Sequence, residues 1–152
     1  MLSTLNSNRF PSPNGLVEEK NRTTIVTLNR PERRNALTIE LLTELTTALD
    51  TASANPQKRI LILRGAGQAF CAGLDLQETT VVEKAHRSAE MVAKTLLAIS
   101  QTRLITIAQI HGAAVAGGAG LMSACDFVVA AERTKIGYPE TKRGLVAGLV
   151  MT

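Results

Sequence analysis

The chain has 152 residues, 45% hydrophobic and 20% charged, and its 17 Lys and Arg against 13 Asp and Glu leave a net charge of +4. So much apolar content with so little net charge excludes a disordered chain, and 11 Gly and 5 Pro are too few for a collagen or a low-complexity linker. Aromatic residues make up only 3%, so there are few rings to stack bases; nucleic acid is disfavoured, while a small anionic ligand suits the mild basic excess.

Along the chain, residues 1–15 form a polar lead-in expected to be flexible, and residues 16–152 are expected to make one domain. The lead-in has no apolar targeting core, so the cytoplasm is the expected compartment. The sequon Asn21-Arg22-Thr23 is therefore read as chance. Leu16–Lys20 and Thr23–Leu28 are short runs rich in Val, Ile and Thr around Asn21-Arg22, a hairpin pattern. Asn29-Arg30-Pro31 breaks the second strand, because proline brings no donor. Thr38 is placed to cap a helix whose Leu41, Leu42, Leu45, Ala48, Leu49 and Ala52 recur at three- and four-residue spacing, until Asn55-Pro56 stops it. Ile60–Leu63 is a continuous apolar run, predicting a strand covered on both faces. A second helix follows from Val82 to Leu97, then a strand over Leu104–Ile110.

Gly112, Gly117, Gly118 and Gly120 predict a glycine-rich turn into a small-residue helix ending near Cys125. The apolar stretch Gly112–Cys125 is too short and too rich in glycine to cross a membrane. Phe127–Ala130 reads as another buried strand and Lys135–Tyr138 as a short one. The predicted order, β-β-α-β-α-β-α-β-β, is α/β with largely parallel connections. Cys71 and Cys125 lack the paired spacing of a zinc site and are read as reduced core thiols, with no metal expected.

Two places put a strand, a glycine turn and a helix start in succession: Leu61 to Asp75, and Ile105 to Leu121. Glycine lets a ligand approach the backbone, and two facing N–H donors would hold the oxygen of a thioester carbonyl as it becomes an enolate. Tight packing at small residues explains the same spacing. Glu140, after Gly137-Tyr138-Pro139, is the best acid/base candidate, against a surface glutamate paired with Lys142 or Arg143. Asp75 reads as a cap, Asp126 as closing a helix-to-strand turn, His86 as exposed and His111 as a hydrogen-bonded structural residue. A Rossmann reading fails, since neither Gly65-Ala66-Gly67 nor Gly118-Ala119-Gly120 continues to the third glycine.

These residues together closely resemble the enoyl-CoA hydratase/isomerase (crotonase) superfamily. Asn29-Arg30-Pro31 with Asn35-Ala36-Leu37 looks like its N-R-P-x-x-x-N-A-L segment. Phe70-Cys71-Ala72-Gly73-Leu74-Asp75 and His111-Gly112 through Cys125-Asp126 look like its two oxyanion-hole motifs. Gly137-Tyr138-Pro139-Glu140 looks like its second catalytic-glutamate segment. The resemblance implies a crotonase-like ββα superhelix, cut short at its C-terminal end. It implies an oxyanion hole from the Ala72 and Gly117 N–H groups, with Glu140 transferring the proton. It implies a CoA site at Arg33, Ala36, Ala72, Gly73, Leu74, Asp75 and Gly117, arginine suiting phosphate. The implied activity is hydration of a 2-enoyl-CoA or isomerisation of its double bond, with CoA entering as the substrate thioester and no other cofactor. A homotrimer or hexamer is the family's assembly. Gly120 stands where two-glutamate hydratases of the family carry their first glutamate, which leaves one acid. The alternative is a non-catalytic or inactive CoA-binding relative.

Overall fold

Thr, Val and Ile suit a pleated, half-buried surface, and they form an antiparallel hairpin of β1 (Gly15–Lys20) and β2 (Thr23–Leu28). Asn21 turns it at φ +51°, a conformation asparagine tolerates. This computed structural model describes residues 14–80 and 82–143, so the expected lead-in up to residue 13 lies outside the described residues. After a 3-10 turn at Pro31–Arg33, helix α1 (Ile39–Ala54) starts where the Thr38 hydroxyl accepts the Leu41 N–H at 3.2 Å. It ends at Asn55, before the proline. There the Arg103 guanidinium donates to the Ser53, Asn55 and Lys58 carbonyls at 2.7, 2.5 and 3.0 Å, supplying acceptors at a helix end with the donors they lack.

The chain continues through β3 (Ile60–Gly65), α2 (Val82–Gln101), β4 (Ile105–Ile110), β5 (Ala113–Val115), α3 (Gly117–Ser123), β6 (Phe127–Ala130) and β7 (Lys135–Gly137). The order matches the expected one except for β5. Three small residues beside glycines carry no strand signal of their own, and β5 exists because it pairs in parallel with β7. The main sheet runs β1-β2-β3-β4-β6, parallel throughout except for the β1 hairpin.

The register stacks Val26, Leu63 and Ala108 across neighbouring strands on one face. That face joins Leu41, Leu45, Leu49, Val92 and Ile99 of α1 and α2 in a single core. A buried Thr46–Thr95 hydroxyl contact at 3.2 Å links the two helices.

Two expectations of burial on both faces are corrected. In β3, burial alternates, with Leu61 and Leu63 inside and Ile60 and Ile62 only half-buried. In β6 all four residues are exposed, Phe127 at 60%. Both helices pack on the same face, and among the described residues β6 lies at the sheet's edge, paired only with β4. Among the described residues no helix is long and apolar enough to cross a membrane.

Candidate functional site

The segment from Phe70 to Asp75 threads between two others. On one side the Phe70 N–H donates to the His111 carbonyl at 2.9 Å and the Cys71 N–H to that of Ala113 at 3.0 Å. On the other side the Ala72 N–H donates to Arg34 O at 3.0 Å, the Leu37 N–H to Gly73 O at 2.8 Å, and the Asp75 N–H to Leu37 O at 2.9 Å. The buried side chain of Asn35, at φ +54°, staples the same segment. Its amide donates to the Ala66, Ala69 and Phe70 carbonyls at 2.9, 2.8 and 3.1 Å, and its oxygen accepts the Arg30 N–H at 2.8 Å. Asn35, given no role by the sequence beyond its motif, is the joint that fixes the segment.

This ladder decides which N–H groups are free. Ala72, expected as a donor, has its N–H occupied by Arg34 O. Gly73, at φ +92°, breaks the extended run between Ala72 and Leu74. Leu37 engages the Gly73 carbonyl and the Asp75 N–H, while the Leu74 N–H meets no acceptor among the described residues. Its nitrogen lies beside α3: a methyl added at Gly117 would stand 3.7 Å from it. The Gly117 N–H, first in α3, also meets no acceptor among the described residues. Gly73 must lack a side chain. Its φ is +92°, and a methyl there would lie 2.8 Å from Ala116 Cβ and 3.3 Å from the Gly117 nitrogen. Ala116, which turns the chain into α3, is held at φ +52°, ψ −124° with no side-chain cap.

Glu140 opens out of the turn after β7. Val115 pairs with Gly137, and the Ala116 N–H donates to the Gly137 carbonyl at 3.0 Å, which seats this turn against the start of α3. Glu140 Oε2 is buried with no hydrogen-bond partner among the described residues. Buried polar atoms are ordinarily paired.

A groove of about 300 Å³ is lined by Arg33, Arg34, Ala36, Ala72, Leu74 and Asp75, among others. It gathers five of the residues expected at a CoA site; Gly73 and Gly117 abut its Leu74 wall, and Glu140 does not line it. Arg33 donates to Gln77 Oε1 at 2.7 Å. The Asp75 carboxylate is engaged within the chain: Oδ2 pairs with Arg30 at 3.0 Å and Oδ1 accepts the Gln77 N–H at 3.1 Å, which caps this turn. Burial alone would raise the Asp75 pKa. The Gln77 N–H, the Arg30 guanidinium and the charge of Arg33 outweigh it and hold the carboxyl below its ordinary value. Burial pushes the Cys71 and Cys125 thiols up to about 12, as inert core cysteines. His111 Nε2 bonds the Gly67 carbonyl at 2.8 Å, and Asp126 accepts from the Thr106 N–H and hydroxyl at 2.8 and 2.9 Å, both structural as read.

The family model described as enoyl-CoA hydratase/isomerase matches residues 18–152. A Thermus thermophilus protein named as a candidate enoyl-CoA hydratase is 42% identical over 137 residues, which cover 87% of this chain and 54% of its own. The crystal structure of enoyl-CoA hydratase from Bacillus anthracis superposes with a TM-score of 0.86 at 35% identity, covering 90% of this chain and 54% of that one. A crotonase described as a candidate enoyl-CoA hydratase/isomerase, from Legionella pneumophila, superposes at 0.85 with 31% identity, covering 91% and 56%. This chain has their crotonase-like α/β fold and spans about half the length of the relatives it matches.

Proposed function

Because the chain belongs to the enoyl-CoA hydratase/isomerase family, we propose that its site polarises the carbonyl of an acyl-CoA thioester and moves a proton with Glu140. The carbonyl oxygen sits between the Leu74 and Gly117 N–H groups, Leu74 taking the part expected of Ala72. Two such donors stabilise the oxygen most when it carries enolate charge, and losing one typically costs about 10²–10³ in rate. The groove beside Leu74 takes the CoA portion, and Arg33 and Arg34 at its wall suit phosphate.

Glu140 then acts on the carbon skeleton. In hydration its carboxylate takes a proton from water as the oxygen bonds to the β carbon, and the protonated Glu140 then gives that proton to the α carbon of the enolate. In isomerisation it takes a proton from one carbon of the allylic system and returns it to the other. Both use the same parts. The observation that carries the reading is the Oε2 of Glu140, buried and without a partner among the described residues. Glu140→Gln keeps the shape and removes the base. It is expected to lower kcat for enoyl-CoA by about 10²–10⁴-fold with acyl-CoA affinity retained. Turnover at the parental rate would reject the assignment. A second reading, a CoA-binding protein without catalysis, is favoured by Gly120, which brings no second acid to α3. Binding without turnover in both the parent and the variant would select it.

A further inference from the structure

We propose that Arg30 is a positioning residue that aims the Leu74 N–H at the thioester oxygen, acting through Asp75; the inference rests on the oxyanion reading above. Among the described residues Arg30 makes no hydrogen bond or ion pair with Gly117 or Glu140, yet it braces both strands of the ladder that sets Leu74. Its Nη1 donates to the Ala36 carbonyl at 2.5 Å and its Nη2 to Asp75 Oδ2 at 3.0 Å. Ala36 precedes Leu37 and Asp75 follows Leu74, so one guanidinium clamps the Leu37–Leu74 bridge from its two flanks.

The clamp is itself anchored. The Arg30 carbonyl accepts the Arg33 and Asn35 N–H groups at 3.0 and 2.9 Å, and the Arg30 N–H donates to Asn35 Oδ1 at 2.8 Å. The ion pair is well shielded, with side-chain exposures of 15% and 9%, so water competes little for it. A planar fork with several donors is what two acceptors on different segments require, and an ammonium is a poor substitute. Asp75 was expected on the ligand path; its two oxygens are instead engaged by Arg30 and the Gln77 N–H, which makes it the relay.

The test compares the parent chain with Arg30→Lys, Asp75→Asn and Glu140→Gln, using an arylpropenoyl-CoA as probe. A conjugated thioester absorbs further to the red when its carbonyl oxygen is polarised, so the spectrum reports the hole without turnover. Arg30→Lys and Asp75→Asn are expected to bind the probe with affinity within about twofold of the parent and to lose most of the red shift. Their kcat should fall about 10- to 100-fold at unchanged KM, as for a small misplacement of a reacting group. Glu140→Gln should keep the red shift. A raised KM with the shift intact would make the pair ligand-binding and overturn the proposal. So would loss of a cooperative melt in both Arg30→Lys and Asp75→Asn, which would make the pair purely a folding element. A parent chain that binds the probe with no red shift would reject the oxyanion reading itself, and this inference with it.

Discussion

Asp75 shows how one carboxylate ties local structure to pH. The Gln77 N–H and the two arginines hold its folded pKa below its ordinary value despite its burial. A depressed pKa means that the folded state favours the charged form, so the stabilisation is complete above the unfolded pKa and is lost as pH falls through the folded one. Urea titrations of the parent chain are expected to show stability falling below about pH 4, with a shallower fall in Asp75→Asn, which starts from a lower plateau. Equal slopes in both proteins would place the acid sensitivity elsewhere. Asn35 is the neutral counterpart. An asparagine before Ala36-Leu37 is visible in the sequence, but its four backbone partners come from residues as distant as Phe70, and no local pattern announces them.

Among the elements, α3 carries the most tension. The residue that turns β5 into α3 must bring the Gly117 N–H round toward Leu74, and Ala116 does so at φ +52° with a side chain that resists it. Such a conformation costs a non-glycine residue roughly 1–3 kcal/mol, and glycine gives back about 0.5–1 of that in chain entropy. Ala116→Gly is therefore expected to raise the unfolding free energy by about 1 kcal/mol, read from the urea midpoint. Lower stability would mean that the Ala116 methyl packs more favourably than its backbone is strained. Within the helix, Gly118 is obligatory for a different reason: a methyl there would stand 2.4 Å from the Cys71 carbonyl oxygen. The sequence signalled small residues here, and they have both consequences weighed for them: close packing, and a backbone open to a ligand.

For the whole molecule, the imbalance of the sheet dominates. One face lies under α1 and α2, while the register puts Ile105, Phe127 and Val129 together on the other, all strongly exposed. An exposed edge strand of this composition pairs or associates with copies of itself. The 152-residue chain is expected to self-associate at micromolar concentration, and Phe127→Lys with Val129→Lys to lower the weight-average mass in sedimentation velocity. A parent chain that sediments as a monomer would remove this expectation.

The sequence by itself determined every element but β5, and their order. Periodicity of 3.6 or 2, the Thr38 cap and the breaks at Pro31 and Asn55-Pro56 are local physics, and the structure follows them within a residue or two except at the end of α2, which runs four residues past Leu97. The motifs likewise brought Arg33, Ala36, Ala72, Leu74 and Asp75 to one groove. Tertiary structure alone decided which amides are free, which acids are engaged and which strands are covered. Ala72 and Leu74 stand on either side of Gly73, and the Arg34 carbonyl distinguishes their N–H groups by bonding the first of them. Asp75 and Glu140 are both carboxylates near glycines; Arg30 and the Gln77 N–H engage the first, while Oε2 of the second meets no partner among the described residues. An apolar run records that a strand is sticky, but the side on which two helices pack decides which of its faces they cover.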